Sequence, residues 1–121
     1  MKVITYNLSK QEKETLVKAN AKKHDLTFIA NDLNAHTLMY AFDKEVLVIP
    51  LMNTIPSEYL SKLSVYGIKQ IISWDKPDSL LLRQARHHNI VLHYIHPSLT
   101  IEKSAQYIIK KLVSPSGEVH L

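Results

Sequence analysis

Residues 65–102 constrain the fold more than any other stretch, because two apolar runs flank one helical pattern. The first apolar run, residues 68–73, ends in polar residues, and Asp78 and Ser79 follow as helix-opening residues. The second run, residues 90–94, leads into a loop that opens another helix. Two strands joined by a helix are typical of a crossover between parallel strands. The stretch therefore predicts a strand–helix–strand unit.

The remaining chain repeats this alternation. Ser9 and Glu12 have the spacing of a capping box, which predicts a helix that buries Leu16, Val17 and Ala21. The predicted strands are residues 2–6, 26–29, 45–49, 68–73 and 90–94, and the predicted helices are residues 10–23, 35–41, 56–66, 79–88 and 101–112. The third strand is apolar on both faces, and Gly67 is predicted to follow the third helix at its C′ position. The inward residues are predicted to be Leu38 and Met39 in the second helix and Leu81, Leu82 and Ala85 in the fourth. Alternating strands and helices favour an α/β three-layer sandwich. Short right-handed crossovers predict a parallel sheet in the flavodoxin-like order 2-1-3-4-5.

The last predicted helix carries one apolar stripe, and its opposite face is polar. Its predicted N-cap is Ser98 or Thr100, and we predict that it ends near Leu112. We predict one domain over residues 1–112 and a flexible tail over residues 113–121. The stripe consists of Ile101, Ala105, Ile108, Ile109 and Leu112, and the polar face of Lys103, Gln106, Lys110 and Lys111.

Composition excludes several classes of protein. The 121 residues include no cysteine, which excludes disulfides and thiolate chemistry. No apolar run approaches the ~18 residues that would cross a bilayer, so we expect a cytoplasmic chain without a membrane partner. The net charge is +4, but the basic residues do not form a stripe with interleaved aromatic residues. We therefore expect no nucleic-acid partner.

Several segments resemble the catalytic, substrate-binding domain of the D-2-hydroxyacid dehydrogenases, especially the D-lactate dehydrogenase branch. The resemblance covers roughly residues 1–112. It is carried by residues 1–6, residues 18–20, residues 24–28, Phe42-Asp43, residues 60–72 with Tyr66-Gly67-Ile68-Lys69, residues 90–92 and residues 97–102. It implies the same flavodoxin-like, Rossmann-like fold and an oxidoreductase lineage.

The chain departs from that family where the family binds its substrate and cofactor. The resemblance implies a glycine-containing loop after strand four, whose backbone amides hold the substrate carboxylate. Here residues 73–79 contain no glycine, and Pro77 lacks an amide donor. The resemblance also implies a tyrosine that faces the substrate in the loop after strand five. Its counterpart in this chain is Tyr94 or no residue. Glu102 matches a glutamate in the family's helix-opening motif, which is not the catalytic carboxylate. Because Gly67 and Gly117 are the only glycines, no dinucleotide fingerprint can form.

Any ligand is expected beyond the carboxyl ends of the strands, where the strand order reverses. Asn7 and residues 51–54 are predicted to line that crevice, with Ser73, Trp74 and His96 beside it. We predict a weak site for a small, 2-oxoacid-like anion, shared by Asn53, Ser73 and His96. Two helix N-termini, at Pro56-Ser57 and at residues 98–100, are predicted to point toward the same edge.

The seven histidines do not predict a metal site, because no pair on one helix has a nearby carboxylate. Asp75 is predicted to approach His96 at the ends of neighbouring strands. His87, His88 and His93 have no assigned role. A phosphoreceiver would need acidic residues after strands one and three, where Asn7 and Pro50 stand instead.

These observations lead to three hypotheses. In the first, the chain is a binding or regulatory module, related to the dehydrogenase substrate domain, that is non-catalytic by itself and has no catalytic residues, cofactor or metal. In the second, it is the substrate-domain component of a D-2-hydroxyacid oxidoreductase whose NAD-binding domain is on a separate partner. In the third, it is an oligomeric interaction protein, such as a homodimer.

Overall fold

The computed structural model describes residues 1–117, with side chains described through Leu112. In chain order the elements are β1 (Lys2–Tyr6), α1 (Lys10–Asn20), β2 (Asp25–Ile29), a 3-10 helix (Leu38–Ala41), β3 (Val46–Val48), a second 3-10 helix (Met52–Thr54), α2 (Ser57–Tyr66), β4 (Gln70–Ser73), α3 (Ser79–His87), β5 (Val91–Tyr94) and α4 (Ile101–Gly117).

All five strands are parallel, and their order is β2-β1-β3-β4-β5, which confirms the predicted topology. β3 lies at the centre, with Leu47 paired to Ile4 of β1 and to Ile71 of β4. All three β3 side chains are buried, as expected of a strand covered on both faces. The carboxyl ends of the strands therefore meet at one edge of the sheet.

Helices cover both faces of the sheet, so the chain has three layers. Val46 and Val48 face α1 and α4, and they pack with Leu16 and Ile108. Leu47 faces the other side, where α2 and α3 cover the sheet. The buried side chains of those two helices are Leu60, Leu63, Leu81 and Ala85. Alternation of side chains along each strand thus divides the core into two clusters.

Helix termini confirm two local predictions. Glu12 N–H donates to Ser9 Oγ at 3.1 Å and Ser9 N–H donates to Glu12 Oε1 at 2.8 Å, which completes the capping box. Gly67 ends α2 with φ +119°, and a Cβ there would lie 3.1 Å from the carbonyl oxygen of Lys44. Both the dihedral angle and the close approach favour glycine at this position.

α1 is shorter than predicted, because Asn20 ends it. The Asn20 amide donates to the His24 carbonyl and accepts from the His24 N–H, both at 3.0 Å. This buried side chain turns the backbone through Ala21 and Lys22, which both have positive φ. The predicted burial of Ala21 is therefore wrong.

Three other burial predictions are wrong for one geometric reason. Val17 is 50% exposed, Leu82 41% and Met39 60%. Each directly follows a residue that takes the inward position, and one step along an α-helix or a 3-10 helix rotates the side chain by about 100–120°. The predicted helix over residues 35–41 is also wrong in extent, because only Leu38–Ala41 form a 3-10 helix.

α4 confirms the apolar stripe, and Lys103 N–H donates to Thr100 Oγ1 at 3.1 Å, so Thr100 rather than Ser98 caps it. Its backbone continues past the predicted end at Leu112 to Gly117. Residues 118–121, in the predicted tail, lie outside the described residues. The division at residue 112 stays a prediction.

Candidate functional site

The predicted ligand residues all follow the carboxyl ends of strands and therefore lie along one edge of the sheet. Two neighbouring loops form much of this edge. The β4–α3 loop comprises residues 74–78, and the β5–α4 loop comprises residues 95–100. Their hydrogen bonds decide which polar groups remain available to a ligand.

Ser73, at the end of β4, is fully buried and fully used. Its Oγ donates to the carbonyl oxygen of Pro50 at 2.9 Å. The same atom accepts from the N–H groups of Met52 at 3.1 Å and Asp75 at 3.2 Å. A hydroxyl has one donor and two acceptor positions, so Ser73 has none left for a ligand.

Asn53 joins the β3–α2 connection to the β4–α3 loop. Its Nδ2 donates to the carbonyl of Lys76 at 2.7 Å, and its Oδ1 accepts from the Asp78 N–H at 2.9 Å. The Asn53 N–H donates to Asp75 Oδ2 at 3.1 Å. Asp78 in turn caps α3 by accepting from the Leu81 N–H at 2.8 Å. These contacts hold the loop in one conformation against the body of the domain.

His96 belongs to the β5–α4 loop, and its hydrogen bonds are local. Its Nδ1 accepts from the Ser98 N–H at 3.1 Å and lies 2.7 Å from Ser98 Oγ. In the neutral ring the proton is therefore on Nε2, and the side chain is exposed. The expected approach of Asp75 to His96 does not appear among the hydrogen bonds of the described residues, in which Asp75 accepts from Asn53 instead.

Asn7 lies where the strand order reverses, beside a cleft of about 330 Å³. Leu51 and Thr54 line the same cleft, as predicted from the topology. Asn7 has φ +57°, and its Nδ2 donates to Asp32 Oδ1 at 2.5 Å. Asp32 thus adds a carboxylate that the sequence did not assign to this site.

Trp74 is half-buried and faces the α1–α4 side of the sheet. Its Nε1 donates to Ser104 Oγ at 3.2 Å. It borders a second cavity of about 190 Å³, which Leu8, Leu16 and Leu99 also line. Asn7 and Trp74 therefore border different spaces.

The structure therefore separates the predicted ligand residues. No hydrogen bond in the described part of the chain joins Asn53, Ser73 and His96 to one another. Sequence reasoning missed Asp32 and Ser104. Ser104 carried a usable signal, since it falls three residues after Ile101 on the apolar face of α4.

His93, His87 and His88 make contacts away from this site. His93 Nε2 lies 3.0 Å from Gln70 Oε1, and burial, with a smaller contribution from Lys111, lowers the pKa of His93. The rings of His87 and His88 pack edge to face at the end of α3, with centroids 5.1 Å apart. Within residues 1–117 no three metal-ligating side chains cluster.

None of the helices described here is both long enough and apolar enough to cross a membrane.

Comparisons with known proteins connect this fold to one group of enzymes. No protein-family model and no curated protein matches the chain. Its structure is similar to apo D-lactate dehydrogenase from Escherichia coli, with a TM-score of 0.69 and 21% identity over 78% of this chain. D-lactate dehydrogenase from Salmonella gives 0.68, with 23% identity over 83% of this chain. The NAD-complexed D-isomer specific 2-hydroxyacid dehydrogenase from Lactobacillus delbrueckii ssp. bulgaricus gives 0.65, with 16% identity over 78%.

The chain spans only 31%, 31% and 29% of the lengths of these three enzymes. At such identities the likeness establishes the fold. The chain therefore has an α/β fold that also occurs within D-lactate and D-2-hydroxyacid dehydrogenases.

Proposed function

We propose that this chain acts as a binding or regulatory module related to the substrate-binding domain of D-2-hydroxyacid dehydrogenases, and that by itself it does not catalyse hydride transfer. The shared fold and the resemblance over residues 1–112 support the relationship. The closed β4–α3 loop supports the absence of catalysis and is the observation that carries the proposal.

In the family that the sequence resembles, the loop after strand four holds the substrate carboxylate with backbone amides. In this chain the donor is occupied or missing at three positions of that loop. The Asp75 N–H donates to Ser73 Oγ, and the Asp78 N–H donates to Asn53 Oδ1. Pro77 has no N–H. A carboxylate would have to break these two internal bonds before it could use the Asp75 and Asp78 amides.

The negative charge at this edge of the sheet also disfavours the binding of a carboxylate. The Asp75 carboxylate accepts from the Asn53 N–H within the loop. Asp32 places a second carboxylate beside Asn7 in the cleft at the strand reversal. Like charges repel more strongly where protein displaces water, so both carboxylates oppose an anionic substrate.

The weak site for a 2-oxoacid-like anion stays a proposal, and it depends mainly on His96. Ser73 is saturated, and Asn53 is committed to the loop. His96 is exposed, with its neutral-ring proton on Nε2. We expect millimolar affinity at best.

The first test measures turnover and cofactor binding by the purified chain. NADH oxidation with pyruvate and other 2-oxoacids should stay at the rate of the buffer alone, and calorimetry with NAD should give no saturable heat. Turnover above the buffer rate, or saturable cofactor binding at micromolar concentration, would refute the proposal.

A gain-of-binding variant tests the closed loop itself. Asn53→Ala with Pro77→Gly should release the Asp78 amide and add a donor at position 77. Pyruvate should then shift the amide resonances of residues 75–79 at lower concentrations than in the wild type. Asn31→Ala with Pro115→Gly is the control, because these positions lie outside the loop. Equal pyruvate responses in the two double variants would count against the role of the closed loop.

An exposed apolar surface favours self-association as a second candidate function. Met39, Tyr40 and Phe42 are 60%, 52% and 67% exposed, and the Phe42 ring packs edge to face on Tyr66 with centroids 5.7 Å apart. Large exposed apolar side chains that adjoin one another are typical of protein interfaces. Sedimentation equilibrium should show a dimer that Phe42→Ser weakens and that Val17→Ser, at another exposed apolar position, leaves intact.

A further inference from the structure

The cavity beside Trp74 is lined mostly by apolar side chains, with Glu12 and Ser104 as its polar ones. It lies where α1 and α4 meet the β5–α4 loop, and its volume is about 190 Å³. Its apolar lining includes Leu8, Leu16, Pro97, Leu99, Ile101 and Ile108. A cavity of roughly 150 Å³ admits benzene, so a space of this volume suits a molecule of about six to eight non-hydrogen atoms.

One buried polar group in this cavity lacks an acceptor. Ser104 is only 3% exposed and lines the cavity wall. Its Oγ accepts from Trp74 Nε1 at 3.2 Å, and in the described part of the chain the hydroxyl donates to no acceptor. Buried hydroxyl groups are normally hydrogen-bonded, because leaving one unpaired costs free energy. The Ser104 hydroxyl proton is therefore available to an acceptor inside the cavity.

The charge in the wall limits what that acceptor can be. Among the described residues, Glu12 is the one ionisable side chain that lines the cavity, and its carboxylate accepts from the Ser9 N–H in the capping box. A second carboxylate placed in this partly apolar space would be repelled by Glu12 and would lose its own hydration. The charge therefore favours a neutral occupant.

We propose that this cavity binds a small, neutral, mostly apolar molecule that carries one carbonyl oxygen, such as a cyclic ketone. The carbonyl accepts from the Ser104 O–H, and the apolar part packs between α1 and α4. The site is separate from the anion edge near His96 and does not depend on it. It needs no change to the Trp74–Ser104 hydrogen bond, because the serine oxygen accepts from Trp74 while its proton goes to the ligand.

Cyclohexanone is a suitable probe, since it has about the size that the cavity admits. Trp74 is the only tryptophan, so the single indole N–H resonance of ¹⁵N-labelled protein reports directly on the site. We expect the indole resonance and the Leu99 and Ser104 amides to shift and to saturate together at millimolar cyclohexanone. Shifts that stay linear with concentration and spread over the surface would overturn the proposal.

Two variants test the hydroxyl and the charge separately. Ser104→Ala should weaken cyclohexanone binding at least fivefold, whereas Ser61→Ala, on the exposed side of α2, should leave it unchanged. Glu12→Gln retains the capping geometry and should raise the affinity for cyclohexanecarboxylate at least fivefold without changing that for cyclohexanone.

Either variant can contradict the proposal on its own. Equal cyclohexanone affinity in Ser104→Ala and wild type would remove the acceptor argument. Wild-type protein that binds cyclohexanecarboxylate as tightly as cyclohexanone would remove the charge argument. The pyruvate and NAD experiments are unaffected by either outcome, so this site and the proposed function fail independently.

Discussion

The loops that follow β4 and β5 lie next to each other at the same edge of the sheet, but they are held in different ways. The β4–α3 loop is bound by side chains from distant parts of the sequence, with Asn53 reaching Lys76 and Asp78. Beyond Ile95, whose N–H donates to the Ser73 carbonyl at 2.8 Å, the β5–α4 loop depends on bonds between near neighbours, such as His96 with Ser98. The β4–α3 loop is therefore fixed to the rest of the domain, whereas the β5–α4 loop is held mainly by bonds within itself.

This difference explains where ligands are expected. A loop whose amides and side chains are committed to the protein offers few donors to a substrate, whatever its position in the fold. A loop with local bonds keeps exposed groups, and here it also covers a cavity next to Trp74. At this edge the loop after β4 therefore has few free donors, and the loop beside α4 keeps exposed groups.

The largest effect should come from Ser73→Ala, in the coupled loop. The substitution leaves the Pro50 carbonyl and the amides of Met52 and Asp75 without their partner. We expect a loss of about 3 kcal/mol in the free energy of unfolding, since each buried unpaired group costs roughly 1–3 kcal/mol. Urea denaturation followed by Trp74 fluorescence measures it. Ser98→Ala, in the β5–α4 loop, is the matched control and should lower the free energy of unfolding by less than ~1 kcal/mol. Similar losses in the two variants would show that the two loops do not differ in how they are held.

Asn53→Ala should have the next largest effect. It removes two side-chain hydrogen bonds to Lys76 and Asp78 that water can partly replace, because Asn53 is exposed. We expect a loss of about 1 kcal/mol and faster hydrogen exchange at the Asp78 amide. The exchange of the Ser98 amide should not change. Unchanged exchange at Asp78 would mean that Asn53 does not hold the loop.

The lowered pKa of His93, on β5, should make the stability of the domain depend on pH. Burial lowers its pKa from the usual value of 6.5, so the unfolded chain takes up the proton more readily than the folded one. The stability is fully present well above pH 6.5, falls as the pH drops from about 6.5 toward the lowered folded-state pKa, and stops falling below it. For one such group, proton linkage limits the decrease in the free energy of unfolding between pH 7 and pH 6 to about 0.7 kcal/mol.

The matched variants isolate this contribution. His93→Gln, which keeps a donor toward Gln70, should reduce the pH dependence of urea unfolding over this range and leave the contribution of His24, whose pKa burial also lowers. His87→Gln, at an exposed position on α3, should leave it as in the wild type. A wild-type slope that persists in His93→Gln would assign the pH dependence to other groups.

The smallest effect on stability is expected for His96→Ala. Its contacts are local and exposed, so the free energy of unfolding should change by less than ~0.5 kcal/mol. The same variant should reduce the chemical-shift changes that pyruvate, acetate or phosphate cause at this edge. Shifts confined to the lysine-rich α1 would place anion binding elsewhere.

Local sequence signals predicted much of the fold. The Ser9–Glu12 capping box, the glycine at position 67 and the three buried positions of β3 each depend on neighbouring residues, and all are present. The errors at Val17, Met39 and Leu82 have a different origin. Two adjacent apolar residues on a helix look equally suited to burial from the sequence alone. The orientation of the helix on the sheet decides which of the two faces the core.

The sequence by itself determined most of the elements, their order and the edge to which the strand ends bring the candidate ligand residues, because hydrophobic periodicity, capping and crossover handedness act over short stretches of chain. Only the tertiary structure decided which polar groups at that edge are free. Ser73 meets Pro50, Asn53 meets Asp78, and Trp74 meets Ser104 across more than twenty residues in each case. Such pairings depend on how the strands and helices pack, and no local pattern specifies them.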